Sequence, residues 1–104
     1  MNRWYRLDGH TPVACTPEEW DDWAVQKWPV SQVAKTEIDG AEVSTVFLSL
    51  DHSHSGHGPP LLFETMVFGG TLDGEMRRCS TWEEAEAQHE TVCEMVRAKL
   101  NRQS

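Results

Sequence analysis

Three of the chain's five histidines lie in one short loop: His52, His54 and His57. On an extended backbone the first two project from the same side, as metal ligands two residues apart often do. Gly56 would let the third turn back toward them, and Asp51 or Glu64 would complete a tetrahedral zinc set. The spacing matches no established metal motif. A solvated loop whose charge changes near pH ~6.5 is therefore the alternative.

A second candidate is Glu64, a carboxylate in the most apolar run of the chain, residues 61–68. In a strand it shares a face with Leu62, Met66 and Phe68. Burying an unpaired charge is costly, so this side chain must find donors or take a raised pKa, which is typical of general acids and ligand anchors. The alternatives are solvent access near a sheet edge or pairing with a basic side chain, namely Arg77, Arg78 or Lys35.

These residues together suggest a polar binding site at the rim of a sheet. We expect Thr45, Thr65 and Glu64 to line a polar notch beside the histidine loop, close to Asp51 and His52. The candidates for binding a ligand or partner are thus Asp51, His52, Glu64, Thr45 and Thr65.

Two cysteines, Cys15 and Cys79, each precede a predicted helix start, where a thiolate gains stability. Arg77 and Arg78 would lower the pKa of Cys79 further, and a Cys79–His89 nucleophile pair is conceivable. His89 also fits the role of a satisfied core histidine, because it falls on the apolar stripe of the last predicted helix. The chain has no Gly-rich phosphate loop before a helix, no Gly-x-Ser-x-Gly and no His-Glu-x-x-His motif. The sequence therefore favours a protein that is not an enzyme.

Composition limits the functional class. The chain has 104 residues, enough for a single domain spanning 1–104, with 9 basic and 17 acidic residues and a formal charge of −8. Direct nucleic-acid binding through a basic face is not expected. An acidic surface suits solubility, a basic protein partner or imitation of a nucleic-acid backbone.

Three cysteines without paired spacing argue against a disulfide framework. The first residues lack the apolar stretch typical of a signal peptide, and no apolar run reaches the roughly 20 residues that a membrane helix needs. The prediction is a reduced, cytoplasmic protein without membrane contact.

Turn and cap signals divide the chain into elements. A hairpin over residues 3–14 is predicted to turn at Asp8-Gly9, and Pro12 marks its second arm as an edge. A capping box formed by Thr16 and Glu19 opens a helix that is predicted to end at Pro29. Its tryptophan stripe is either a partner surface or core packing, and core packing is the more common role.

A second hairpin, over residues 33–50, turns at Asp39-Gly40, so that Ile38 faces Ala41 and Thr36 faces Val43. Its second arm has little polarity, which predicts a central strand buried on both faces. Residues 61–68 form the next strand, which ends in a glycine-rich loop.

The last helix begins at Ser80 or Thr81, each of which has a glutamate three residues later. Its apolar stripe continues to the end of the chain: Trp82, Ala85, His89, Val92, Val96 and Leu100. The predicted order is ββ-α-β-β-β-α. This is an α+β domain in which two helices pack on an antiparallel sheet of about four to five strands.

Several segments resemble a family of small uncharacterised proteins of bacteriophages and prophages. The likeness covers roughly residues 4–100 and is carried by Val-Ala-Lys-Thr-Glu-Ile at 33–38, Val-Ser-Thr-Val-Phe-Leu at 43–48, Leu-Asp-His at 50–52, Gly-Pro-Pro-Leu-Leu-Phe-Glu-Thr-Met-Val-Phe-Gly-Gly at 58–70 and Ser-Thr-Trp-Glu-Glu-Ala-Glu at 80–86. The family pattern includes Asp51-His52 and Gly-Pro-Pro but lacks His54 and His57. The resemblance implies a phage or prophage setting and brings no activity or cofactor with it.

The leading functional hypothesis is a small accessory protein that acts by binding in the cytoplasm of an infected cell. It would inhibit a host or phage protein, for instance as a defence antagonist, or sequester a small ligand. The alternatives are an acidic nucleic-acid mimic, a small metal-dependent enzyme built on the histidine loop, and a virion or packaging component. A homodimer formed through sheet edges or surplus tryptophans is also consistent with the sequence.

Overall fold

Two β-hairpins, a further pair of strands and two helices make up the part of the chain that the computed structural model describes, residues 4–27, 32–51 and 58–103. In chain order the elements are β1 Trp4–Asp8, β2 Thr11–Cys15, α1 Pro17–Lys27, β3 Gln32–Ile38, β4 Ala41–Phe47, β5 Phe63–Phe68, β6 Met76–Cys79 and α2 Trp82–Gln103. β1 and β2 form a two-stranded sheet, and β3 to β6 form an antiparallel sheet in sequential order. The predicted α+β class is confirmed, with one strand more than expected.

The first hairpin turns one residue later than predicted, at Gly9-His10. Asp8 pairs with Thr11 and Leu7 with Pro12, and Gly9 takes a φ of 62°. In a two-residue hairpin the pair beside the loop is hydrogen-bonded and the next pair is not. The observed register therefore places Pro12, which has no N–H, where no ladder bond is needed. The predicted turn would have placed it in a hydrogen-bonded pair.

Both helices start at the predicted capping boxes. In the first, the Thr16 N–H donates to the Glu19 Oε1 at 2.8 Å, and the Glu19 N–H donates to the Thr16 Oγ1 at 3.1 Å. In α2 the reciprocal bonds link Thr81 and Glu84, each 3.1 Å long, so the second of the two candidate boxes is the one used. Each box satisfies amide groups that a helix start leaves without a partner.

The four-stranded sheet is organised by the turn at Asp39-Gly40, whose residues have φ of 46° and 87°. Positive φ at both central positions is the type I′ geometry, and the pairings of Ile38 with Ala41 and Thr36 with Val43 are as predicted. β4 is central, between β3 and β5. The expectation that both its faces are buried is wrong, because burial alternates along the strand and only one face is fully covered.

β6 was not expected from the sequence. The sequence predicts a glycine-rich loop after the strand at 61–68 and no further strand, yet Met76–Cys79 pairs with β5 from Phe63↔Cys79 to Met66↔Met76. Backbone bonds across the preceding turn, such as the Gly74 N–H to the Val67 carbonyl at 2.8 Å, bring the segment back along β5. The position and pairing of β6 are therefore determined by this turn rather than by the strand's own side chains, two of which are arginines.

Helix α2 lies across one face of the sheet and contacts all four strands. Toward its C-terminal half it completes a core of small aliphatic side chains: Ala41, Val43, Val67, Val92, Cys93 and Val96. Near its N-terminus a second, more aromatic cluster comprises Leu7, Phe47, Leu62, Phe63 and Ala85. The apolar stripe predicted for this helix is therefore the surface that it buries.

The tryptophans of α1 serve packing. Trp23 approaches Phe47 edge-on with ring centroids 6.0 Å apart, and Trp20 lies 5.1 Å from Trp4. Among the described residues, no helix is long and apolar enough to cross a membrane.

Candidate functional site

The histidine loop predicted as a metal site lies outside the described residues, since His52, His54 and His57 fall in the gap between 51 and 58. Within the described ranges there is no group of three or more His, Cys, Asp or Glu residues arranged to hold a metal. A zinc site at this loop stays a prediction. Asp51, at its start, has a structural contact, because its Oδ1 accepts from the Leu61 N–H at 2.9 Å and so ties the two ends of the loop together.

Glu64 pairs with Arg78, one of its predicted partners. The Arg78 Nε donates to the Glu64 Oε2 at 3.1 Å, with side chains 24% and 16% exposed. The two residues face each other across β5 and β6. The expected notch uniting Glu64 with Thr45 and Thr65 is wrong, because the two threonines are buried beneath α2. Side chains alternate along β5, so Glu64 and Thr65 lie on opposite faces.

The two threonines instead belong to a buried hydrogen-bond network centred on His89. Its Nδ1 lies 2.8 Å from the Thr45 Oγ1 and its Nε2 lies 2.8 Å from the Thr36 Oγ1. Thr45 and Thr65 join their hydroxyls at 2.7 Å, and the Gln88 Nε2 donates to the Thr65 Oγ1 at 3.0 Å. The network thus crosses from β3 to β5 beneath α2.

One arrangement of protons satisfies every described group in this network. Gln88 donates to Thr65, Thr65 to Thr45, and Thr45 to the Nδ1 of His89, whose Nε2–H then donates to Thr36. The Thr36 hydroxyl remains free to donate to the Cys93 sulfur, with which it interacts. A neutral imidazole fits this chain of donors and acceptors. Burial lowers the pKa of His89, while Glu90 acts in the opposite direction.

The structure does not support cysteine catalysis. Both ring nitrogens of His89 bond to threonine hydroxyls, which excludes the Cys79–His89 pair and confirms the alternative, a buried histidine whose hydrogen bonds are satisfied. Burial, followed by the charge of Glu84, raises the pKa of Cys79 to about 11, the reverse of the activation expected. Burial and Glu19 likewise raise the pKa of Cys15. Neither thiol is prepared to act as a nucleophile at neutral pH.

The sheet face opposite α2, here called the open face, carries a different set of side chains. Following the register, they are Lys35, Glu37, Glu42, Ser44, Val46, Glu64, Met66, Phe68, Met76 and Arg78. No helix among the described elements crosses this face, because α2 packs on the other side and α1 contacts β1.

Three neighbours on the open face form what we call the apolar patch: Met66, Phe68 and Met76. Met66 and Met76 are cross-strand partners, and Phe68 and Met76 keep 48% and 41% of their surfaces exposed. Charged pairs flank the patch: Glu64 with Arg78, and Lys35 with Glu42 at 2.9 Å. An exposed apolar group bordered by ion pairs is suited to protein contact, and methionine adapts readily to irregular surfaces.

Comparisons with family models, with curated proteins and with solved structures found no match to this chain. The candidate site is therefore inferred from its geometry alone.

Of the predicted site residues that the structure describes, Glu64 is the one that belongs to the open face. The predicted shared face of Glu64, Met66 and Phe68 is confirmed by the register. Leu62, which was expected on the same face, is instead buried in the aromatic cluster with Phe47 and Phe63. Met76 is absent from the predicted face, because no strand is predicted after the glycine-rich loop. The sequence feature that could have indicated β6 is the glycine-rich turn at 69–74, because such a turn can fold the following segment back onto the preceding strand.

Proposed function

We propose that this chain is a non-enzymatic accessory protein that binds a host or phage protein through the open face, within the cytoplasm of an infected cell. The observation that carries the proposal is the exposure of Phe68 and Met76 on a sheet face that no described helix covers. Side chains of this kind contribute little to folding when they stay in water. Their clustering is explained by contact with another molecule.

Charge indicates the kind of partner. The chain carries a formal −8, so association with a basic protein is favoured electrostatically and one with an acidic protein is opposed. The apolar patch would supply the desolvated centre of the contact, and the flanking Glu64–Arg78 and Lys35–Glu42 pairs its polar rim. The expected partner thus presents an apolar surface among basic groups.

The test compares captures from lysates of infected and uninfected bacterial cells. The bait is the tagged wild-type chain or a variant with Phe68→Ser and Met76→Ser. Both positions are half-exposed, so the variant should stay folded, with a stability change of about 1 kcal/mol or less. Proteins retained by the wild type and lost by the variant support the proposal. For a purified partner, Phe68→Ser alone should weaken binding about tenfold to a hundredfold.

A matched control separates this surface from the rest of the molecule. Val25→Ser makes the same kind of change at a residue of α1 that is 83% exposed, and this variant should capture the same proteins as the wild type. Equal capture by the patch variant would contradict the proposal. So would a bait that recovers nothing above background while no nucleotide or metabolite shifts its melting temperature.

A second function, imitation of a nucleic-acid backbone, is supported by the outer side of α2. Four exposed glutamates follow this helix at three- and four-residue intervals: Glu83, Glu86, Glu90 and Glu94. At about 1.5 Å per residue they form a row of negative charge roughly 16 Å long. A basic nucleic-acid-binding partner would be captured by the wild type and by the patch variant, but lost when all four are replaced by lysine.

A further inference from the structure

We infer that the free edge of β3 pairs with the β3 of a second copy, joining two four-stranded sheets into one continuous sheet. In the described sheet β3 is an edge strand, paired on one side with β4. The proposal does not depend on the function proposed above, because it uses the backbone edge of β3, whereas the apolar patch lies on β5 and β6; Lys35 belongs to both as a member of the polar rim.

The turn decides which residues of β3 offer their backbone to a partner. Ile38 pairs with Ala41 beside the two-residue loop, so Ile38 and Thr36 direct their N–H and C=O groups toward β4. The intervening residues, Lys35 and Glu37, direct theirs outward. At the far end, the irregularity between Gln32 and Ala34 interrupts the regular ladder. The usable edge is therefore centred on Thr36.

Charge selects one register for two such edges. In an antiparallel pair centred on Thr36, Lys35 of each copy lies opposite Glu37 of the other, and these pairs exchange backbone hydrogen bonds. Shifting the strands by one hydrogen-bonded step sets Lys35 against Lys35 or Glu37 against Glu37, which is unfavourable. The segment is thus self-complementary in a single register, as a two-fold interface requires.

The isolated chain leaves a conflict that this pairing resolves. Glu37 lies directly across from Glu42 on β4, and like charges in that position are destabilising. Lys35 bonds to Glu42 at 2.9 Å and its charge also attracts Glu37, but Glu37 forms no ion pair within 4.0 Å among the described residues. Lys35 of the second copy, opposite Glu37, would give this glutamate an oppositely charged cross-strand neighbour. The other sheet edge, β6, offers no such match, because it is four residues long and has two adjacent arginines.

Charge-swap variants test the pairing and its register. By sedimentation and light scattering, the wild-type chain should have twice its 11.8 kDa mass. Lys35→Glu and Glu37→Lys should each weaken self-association about tenfold or more, because both symmetric pairs become like-charged. An equimolar mixture of the two single variants should form a heterodimer, since each then supplies the charges that the other lacks. The double variant should dimerise again.

The same set of variants includes a control for effects on folding. Glu37→Lys removes the repulsion from Glu42, so its melting temperature measured on monomeric protein should not fall. Asp22→Lys, an equal charge change on an exposed position of α1, should leave the dimer intact. A wild-type chain that stays monomeric at about 1 mM overturns the inference. A dimer that Glu37→Lys does not weaken, or single variants that fail to restore each other, overturn it as well.

Discussion

Acidification should destabilise the fold through His89. The side chain is 2% exposed, and its two ring nitrogens each lie 2.8 Å from a threonine hydroxyl. Burial lowers the pKa of His89 in the folded chain, with Glu90 opposing the shift. The unfolded chain keeps the ordinary value near 6.5. The stability contributed by neutral His89 is therefore complete above pH ~6.5 and is lost as the pH falls through the folded-state pKa.

The size of the effect follows from proton linkage. Between the two pKa values the unfolded chain binds up to one proton more than the folded chain, so the free energy of unfolding falls by at most about 1.4 kcal/mol per pH unit. A loss of 1 kcal/mol lowers the melting temperature of a domain of this size by roughly 4–8 °C. The useful range lies above pH ~5, where most carboxylates remain ionised.

The assay is urea unfolding at half-unit steps from about pH 7.5 to 5, with His89→Gln as the control. Glutamine keeps a polar group in place but does not titrate. The variant should be less stable at pH 7. It should also lose the part of the pH dependence of the free energy of unfolding that His89 supplies. The other four histidines are present in both chains, so their contribution cancels in the comparison. Equal slopes, or an NMR titration giving His89 a pKa of 6.5 or higher, would refute the reasoning.

Three further predictions concern single positions. Thr45→Val removes the central hydroxyl of the buried network and should cost about 1–3 kcal/mol in urea unfolding, whereas Thr45→Ser should cost less; equal losses would contradict the network. Gly69→Ala places a Cβ 2.8 Å from a backbone carbonyl oxygen at a φ of 85°, so it should destabilise more than Gly74→Ala, where φ is 88° and the space is open. Because burial and Glu84 raise the pKa of Cys79 to about 11, alkylation at pH 8, with the other two cysteines replaced by serine, should be roughly a hundredfold slower than for an ordinary thiol. Rapid labelling of the folded chain would refute that.

Local chemistry explains which elements could be predicted from sequence. The capping boxes at Thr16 and Thr81 and the Asp39-Gly40 turn depend on residues within four positions of each other, and all three form as expected.

In the first hairpin, two local sequence signals predict different turns. Asp8-Gly9 favours a turn one residue earlier, and the missing N–H of Pro12 excludes the register that this turn would impose. From the sequence, Pro12 marks an edge strand, but the same missing N–H also determines the register of the hairpin.

The parts that could not be predicted depend on contacts distant in sequence. Thr36, Thr45 and Thr65 each appear as ordinary strand residues, and only the register of three strands beneath one helix makes them a network with His89. β6 likewise takes its conformation from β5, since its own composition has no strand pattern. The error over Glu64 has the same origin, because Thr45 and Thr65 were correctly seen as neighbours while their face was assigned wrongly.

Each face of the sheet contains one exception to the usual distribution of apolar side chains inside and polar side chains outside. The buried face carries a polar network, and the open face carries Met66, Phe68 and Met76. The buried polar groups are satisfied only in one register, so a slip of any strand would leave several without partners, and the network thereby specifies the sheet. The exposed apolar groups gain nothing comparable from folding. Because the buried network fixes the register of the sheet, the apolar side chains on the open face are not needed for the core. A binding surface requires this division, in which the residues that stabilise the fold differ from those that contact a partner.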